Sequence, residues 1–331
     1  MPKVSVVLPV RNEAVTIGRA VDSILHQRFE DWELIIVNDG STDQTKAILS
    51  AYDDPRVNVY TIPCSGIARA LNFGIRMSKG EYIARMDGDD VCHPNRFLEQ
   101  VCFLDKYPKT GLVSSLVVYE GDRKSQLGYA LYVDMINSII NETDILKKRF
   151  SESPFAHPSV MFRKSLFYQY GGYSEGPIPE DFELWLRWLD QGVVMNKVSK
   201  TLLTWHDRSD RLSRVHEHYT VDRFFEVKAY YFKKWLYQNF DEVPELWIFG
   251  AGKEVNHRAR HFAQAGLKPS RFIDIKHHKD HSRFIYYKDI PRSSGKLIIL
   301  SLVSDREGKT RIMEYLNDLG YTEGSTFFMM A

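Results

Sequence analysis

Four short apolar runs near the start of the chain, separated by polar or helical-period segments, restrict its possible folds more than any other feature. Val4–Leu8, Leu34–Val37, Val57–Thr61 and Tyr82–Met86 are strand-length stretches. Between them, Val15 to Gln27 places Ile17, Val21, Ile24 and Leu25 on one helical face, and Ile67–Met77 is a second helical segment. Ser41 with Gln44 three positions on reads as a capping box for another helix, running to about Ala51. Alternation of this kind predicts a parallel sheet covered by helices on both faces. Ligands of such sheets bind beyond the carboxyl ends of the strands. Pro9-Val10-Arg11-Asn12-Glu13, Asp39 and Asp87-Gly88-Asp89-Asp90 all fall at that edge.

The last of these segments puts three carboxylates within four positions. Carboxylates so close repel one another unless water or a cation lies between them. A hard divalent cation with oxygen ligands is one resolution, with Gly88 turning the backbone so that Asp87 and Asp89 face one point. A solvated acidic turn gives the same text. Asp39 suits acceptance of the ring N–H of a uracil-like base, or serves the next helix N-terminus as an acid. Arg11 and Glu13 reach ribose or phosphate, or are loop charges. Glu180-Asp181 opens a helix with the apolar stripe Phe182, Trp185, Leu186 and Leu189, where acids favour the dipole or one of them acts as a general base. His157 and His206 read as structural residues, with completion of a metal shell as the alternative for either.

Further along, a helix is expected from Pro94 to about Lys106 and a strand from Leu112 to Val118. Periodicity weakens between Glu120 and Glu152, with a helix around Met135–Ile140. Phe155–Phe162 reads as a strand. A helix from about Val221 to Tyr237 carries Phe224, Val227, Tyr231 and Trp235 on one side, with Lys228, Lys233 and Lys234 elsewhere. It reads as a packing helix between domains, although a basic amphipathic helix also suits peripheral contact with an anionic membrane. After Asp241-Glu242-Val243-Pro244 the chain begins again as βαβ. Strands are expected at Leu246–Phe249, Phe272–Asp274 and Leu297–Leu300, and helices at Glu254–Ala265 and Arg306–Leu319. Gly250-Ala251-Gly252 resembles part of a dinucleotide fingerprint, with Asp274 near the ribose-acid position, but Val255 replaces the third glycine.

Composition narrows the function classes. Lys+Arg of 44 against Asp+Glu of 43 gives a formal charge of +1, which supplies no bulk attraction for nucleic acid. Three cysteines without a Cys-x-x-Cys pair predict reduced, mostly buried thiols and a cytoplasmic protein. The apolar run after Met1-Pro2-Lys3 is too short for a signal peptide, and no run approaches a membrane span of roughly 18 residues.

Four segments together resemble the family 2 glycosyltransferases, which have the GT-A fold. They are Val4 to Glu13, Asn38 to Asp43, Lys79 to Asp90 and Pro179 to Trp185, in that order. The resemblance covers residues 3 to about 215. It implies inverting transfer of a sugar from a nucleotide-sugar donor, through Mn²⁺ or Mg²⁺, to a glycan or lipid-linked acceptor. By position, Pro9, Arg11 and Glu13 would line the nucleotide pocket and Asp39 would meet the base. Asp87 would contact the donor and the metal, Asp89 the metal, Glu180 the substrate, and Asp181 would be the catalytic base. UDP is the expected nucleotide and surface polysaccharide synthesis the expected setting. Leu71 stands where many members have Arg, with Arg69 nearby as a substitute, and Trp205-His206 replaces an aromatic-Arg pair.

The expected fold is therefore α/β: a GT-A type, mostly parallel sheet flanked by helices, plus a smaller C-terminal Rossmann-like domain. Boundaries are expected at 1–215 for the transferase domain, 216–243 for a linker helix and 244–331 for the second domain. A sugar nucleotidyltransferase would want a glycine-rich, basic loop after the first strand, which Pro9 to Glu13 does not supply. A non-catalytic nucleotide-binding scaffold would not need the metal and base carboxylates.

Overall fold

The computed structural model describes residues 1–208, 211, 214 and 216–331. The polar stretch from Asp207 to His218 thus lies partly outside the described residues. The chain divides into two compact units, the first formed by 1–142, 154–176 and 183–215, the second by 143–153, 177–182 and 216–331.

In the first unit, β1 (Val4–Val10), β2 (Trp32–Asp39), β3 (Val57–Ile62) and β4 (Tyr82–Arg85) are parallel, in the spatial order β3-β2-β1-β4. The helices between them are α1 (Ile17–Leu25), α2 (Thr45–Leu49) and α3 (Ile67–Met77). Successive side chains of a strand point to opposite faces. Val6, Leu8, Leu34 and Ile36 accordingly join Ile17, Ala20, Val21 and Ile24 of α1 in one core cluster, while Ile35 and Val37 meet Ala70 of α3 on the other face. Each large aliphatic side chain buried this way contributes about 2 kcal/mol relative to exposure. Gly74 lets α3 approach closely, since a Cβ there would stand 2.6 Å from Val7 Cγ1.

The sheet continues through β5 (Val91–Cys92), β6 (Thr110–Glu120), β7 (Met161–Arg163) and β8 (Val194–His206), giving the full order β3-β2-β1-β4-β7-β6-β8-β5. Here β7 runs antiparallel to both β4 and β6, β5 runs antiparallel to β8, and β6 and β8 are parallel. Helices α4 (Arg96–Lys106), α5 (Leu127–Ser138), α6 (Glu142–Lys148), α7 (Lys164–Tyr170) and α8 (Glu180–Asp190) complete this part of the chain. Several expectations change. The run Phe155–Phe162 is mostly a turn with a short 3₁₀ helix at His157–Ser159, because Pro158 cannot donate to a ladder. The weakly periodic region holds two helices rather than one, the first beginning at Leu127. Ser41 does not cap α2: its hydroxyl accepts from Asn12 N–H at 3.0 Å, and Gln44 stands at the cap. Of the three free cysteines only Cys92 is buried, so the expectation of mostly buried thiols fails at Cys64 and Cys102.

Arg96 is fully buried behind the end of β4. Its guanidinium donates to the carbonyls of Arg85 at 2.8 Å and Val160 at 3.2 Å, and to Gln100 Oε1 at 3.1 Å. These bonds satisfy backbone groups at the point where β4 stops pairing.

The second unit is built on a five-stranded parallel sheet. Its strands are β9 (Glu245–Phe249), β10 (Arg271–Asp274), β11 (Phe284–Tyr286), β12 (Leu297–Ser301) and β13 (Phe327–Met329), in the order β11-β10-β9-β12-β13. With it go α9 (Val221–Asn239), α10 (Lys253–Gln264) and α11 (Arg306–Asp318). The buried face of α9 is rotated from expectation, carrying Phe225, Phe232 and Leu236 beside Val227 and Tyr231, whereas Phe224 is half-buried. Lys228 lies inside as well. Its Nζ donates to the carbonyls of Ser151 at 2.6 Å and Met330 at 2.7 Å, and burial pulls its pKa down to about 7. Among the described residues, no helix is long and apolar enough to cross a membrane.

Replacing Arg96 by Ala takes the guanidinium donor from the buried Arg85 carbonyl, leaves Val160 O with only the N–H of Arg85, and opens a cavity. We expect Arg96→Ala to destabilise the first unit by about 3 kcal/mol, and Arg96→Lys, without the planar fork, to recover less than half of that. Urea unfolding followed by tryptophan fluorescence measures both; a wild-type midpoint for Arg96→Ala would show that the guanidinium contributes nothing.

Candidate active site

The order β3-β2-β1-β4 reverses direction between β1 and β4, and in open α/β sheets the ligand crevice opens at such a point. Here it is widened. β4 pairs with β1 only from Val4 to Val7, whereas β1 follows β2 up to Val10. Pro9 lies in this unshared stretch of β1, buried, where its missing N–H costs no ladder bond to β4.

Two loops at this edge are tied together. Asn12, with a left-handed φ of 55°, accepts Thr42 N–H at 2.8 Å. The N–H of Glu13 donates to Thr45 Oγ1 at 2.8 Å, and that of Ala14 to Asp43 at 3.1 Å. Arg11 is exposed at the tip. Glu13 accepts from Thr16 Oγ1 at 2.8 Å and forms an ion pair with Arg208.

Asp39 is buried at the end of β2. Its carboxylate accepts the N–H groups of Ser65 at 2.7 Å and Gly66 at 2.9 Å and the Ser65 hydroxyl at 3.1 Å, immediately before α3. It therefore braces the approach to α3 rather than the N-terminus of α2, which follows it in sequence. A carboxylate has about four acceptor sites, so these bonds leave capacity for a further donor.

Beyond β4, Asp87, Asp89 and Asp90 each place a carboxylate oxygen within 4.8 Å of the others. Arg85, itself buried, pairs with Asp87. Residues two apart on a strand share a face, so an arginine inside an apolar run two positions before an aspartate is a signal that sequence reasoning passed over. Burial, then the neighbouring charge of Asp87, pushes the Asp89 carboxyl up to about 6, against the opposing pull of Arg211 and Arg208. Glu13 adds to the same upward push, so β1 and β4 deliver their acids to one place. Asp90 is fully buried, and burial and Asp89 raise it well above the usual carboxylate range. One of its oxygens accepts His206 N–H at 2.8 Å, and among the described residues the other has no hydrogen-bond partner.

Asp90 thus belongs to the acidic cluster with Asp87 and Asp89. His206 contributes its backbone N–H there. The arginines around the cluster also went unrecognised: Arg19 donates to the Asp89 carbonyl at 3.1 Å, and Arg211 donates to the His206 carbonyl at 2.9 Å while lying over the Trp205 ring. Gly88 turns the chain without a positive φ. What it supplies is small size, because a Cβ would meet Val10 at 3.3 Å. A set of anionic oxygen donors, one of them buried and unpartnered, fits a hard divalent cation.

The remaining expected residues have contacts of their own. His157 is buried against Tyr173 Oη at 2.8 Å and Trp185, and burial followed by Arg85 drives its pKa well below 6.5. Arg69, the suggested substitute for a missing arginine, is exposed and paired with Glu175 at 2.6 Å. Glu180 and Asp181 open α8 and belong to the second unit. Glu180 accepts from Tyr219 Oη at 2.6 Å, and Asp181 accepts from Phe182 N–H at 2.7 Å.

The sign of the Asp89 shift fixes a pH dependence. A carboxyl raised on folding takes up a proton between about pH 4 and 6, so its ionised form costs stability above about pH 6. In metal-free buffer at pH 7, Asp89→Asn should therefore be more stable than the parent by on the order of 2 kcal/mol, the difference vanishing near pH 4. Urea midpoints at the two pH values check this, and an equal gain at both would refute it.

Comparison with known proteins agrees with this architecture. The sequence model for Glycosyl transferase family 2 matches residues 5–171, half of the chain. The O-antigen biosynthesis glycosyltransferase WbnJ of Escherichia coli is 29% identical over 242 residues, covering 70% of this chain and 89% of WbnJ. Among solved structures, S. aureus TarS 1–349 in complex with UDP-GlcNAc superposes with a TM-score of 0.56 at 17% identity, over 96% of this chain and 80% of that one. The mannosyltransferase PcManGT from Pyrobaculum calidifontis, in complex with GDP-Man and Mn²⁺, gives 0.52 at 18% identity, over 80% and 69%. The fold is that of the GT-A glycosyltransferases, and the chain belongs to glycosyltransferase family 2.

Proposed function

We propose that the chain is an inverting, metal-dependent glycosyltransferase. It moves a sugar from a nucleotide-sugar, with UDP as the nucleotide, to a hydroxyl of a glycan or lipid-linked acceptor in surface polysaccharide synthesis. The work is cytoplasmic, with peripheral contact at the inner face of the membrane. The observation that carries this reading is the trio Asp87, Asp89 and Asp90 at the mouth of the β1–β4 crevice, with a buried carboxylate oxygen left unpartnered.

Asp89 and Asp87 would hold Mn²⁺ or Mg²⁺, and a cation there offsets the charge that builds on a departing nucleoside diphosphate. The WbnJ relative is named for O-antigen biosynthesis, and the two solved structures were determined with UDP-GlcNAc and with GDP-Man and Mn²⁺, which supports a nucleotide-sugar donor and a divalent ion in kind. Asp39 accepts the base N–H with its remaining lone pair, while Pro9, Arg11 and Glu13 line the nucleotide. Glu180 contacts substrate. Asp181 takes the proton of the acceptor hydroxyl as that oxygen attacks the anomeric carbon, and the sugar–phosphate bond breaks on the opposite face with inversion.

Asp181→Asn should lower transfer by about a thousandfold while leaving the nucleotide-sugar Kd within about threefold. Turnover at the parent rate would remove the residue from its role. Asp89→Ala should abolish the Mn²⁺-dependent part of donor binding in calorimetry. A panel of nucleotide-sugars screened with Mn²⁺ for thermal stabilisation identifies the donor, because a ligand bound only by the folded state raises its stability.

A further inference from the structure

Far along the sequence from the acidic cluster, the second unit gathers a different set of ligands. Asp222 lies in the first turn of α9, and His257 and His261 stand four apart on α10. The Nε2 of His257 is 2.7 Å from Asp222 Oδ1 and that of His261 is 3.1 Å from the same oxygen. One ligand atom from each of the three lies within 4.8 Å of the others.

Hydrogen bonding alone explains one histidine beside one aspartate. Two imidazoles converging on a single carboxylate oxygen from one helical face form a donor set of two nitrogens and one oxygen. Bond lengths of 2.0–2.1 Å to a tetrahedral ion imply ligand-to-ligand edges of about 3.3 Å, so the observed spacings need open by only a few tenths of an ångström. The set is also held in place. His261 is nine-tenths buried and stacks on Phe225, which follows Asp222 by one turn of α9. His257 and Asp222 are half-exposed, which gives a metal access from solvent and leaves room for water in the remaining position.

We propose that Asp222, His257 and His261 bind Zn²⁺, clipping α9 to α10. The nitrogen donors discriminate in its favour against Mg²⁺ and Mn²⁺, which prefer all-oxygen shells like that of the first unit. The two sites would therefore take different ions from one solution.

The test uses the full chain, stripped with chelator and titrated with Co²⁺ as a coloured substitute, then with Zn²⁺ against a chromophoric competitor. One equivalent should bind with the visible absorption of a four- or five-coordinate cobalt site, and Zn²⁺ should displace it. His257→Ala/His261→Ala should lose the band, and the half-exposed single variant His257→Gln should weaken Zn²⁺ at least tenfold. Asp89→Ala should keep the band, and Mn²⁺-dependent donor binding should survive in the double variant, so failure here leaves the transferase reading untouched. Equal Zn²⁺ affinity in parent and double variant, or a cobalt spectrum of hydrated ion only, overturns the proposal.

Discussion

Mutual repulsion among the carboxylates after β4 is the constraint around which the first unit is organised. Asp87, Asp89 and Asp90 lie too close to share that space without compensation, and Glu13 adds a fourth charge nearby. The protein answers in part with arginines. Arg85 pairs with Asp87 from inside the sheet, and Arg208 pairs with Glu13, while Arg211 offsets the field at Asp89. Burial first, and the remaining crowding of negative charge second, raise the Asp89 and Asp90 carboxyls. A cluster left short of positive charge suits a hard divalent cation, since complete neutralisation by protein would leave nothing for a cation to gain.

Much of this arrangement was legible in the sequence because strands buried on both faces announce themselves as unbroken apolar text. β1, β2 and β4 therefore fell where their patterns put them, and their polar tips marked the ligand edge. Short or antiparallel strands were harder. β7, β11 and β13 have three residues each, too few for periodicity to register, and their placement is decided by neighbours distant in sequence. The capping box at Ser41 failed for a related reason, since tertiary bonding to Asn12 took the hydroxyl that local rules assigned to the helix. Arg85 and Arg96 were missed because a buried arginine looks like an exposed one until its partners are known.

The second unit repeats the lesson with a lysine. Helical spacing assigned Lys228 to the polar side of α9, yet its Nζ completes the hydrogen bonding of two carbonyls inside the unit. The rings of Phe150, Phe232, Trp235 and Phe328 pack edge to face close by, with Arg149 over three of them. This face of α9 is thus occupied by aromatic and cationic packing within its own unit.

The bond from His206 N–H to Asp90 joins residues 116 positions apart, and the Arg208–Glu13 pair spans 195. Closing loops of that length is entropically expensive and slow compared with local pairing. The early strands can therefore assemble as a nascent layer while their terminal acids stay hydrated and splayed. When β8 docks, the segment that follows it adds Arg208 and Arg211 to the Arg85 charge already supplied by β4, so the surroundings of the acids are completed with the later closure of the sheet rather than with its first strands.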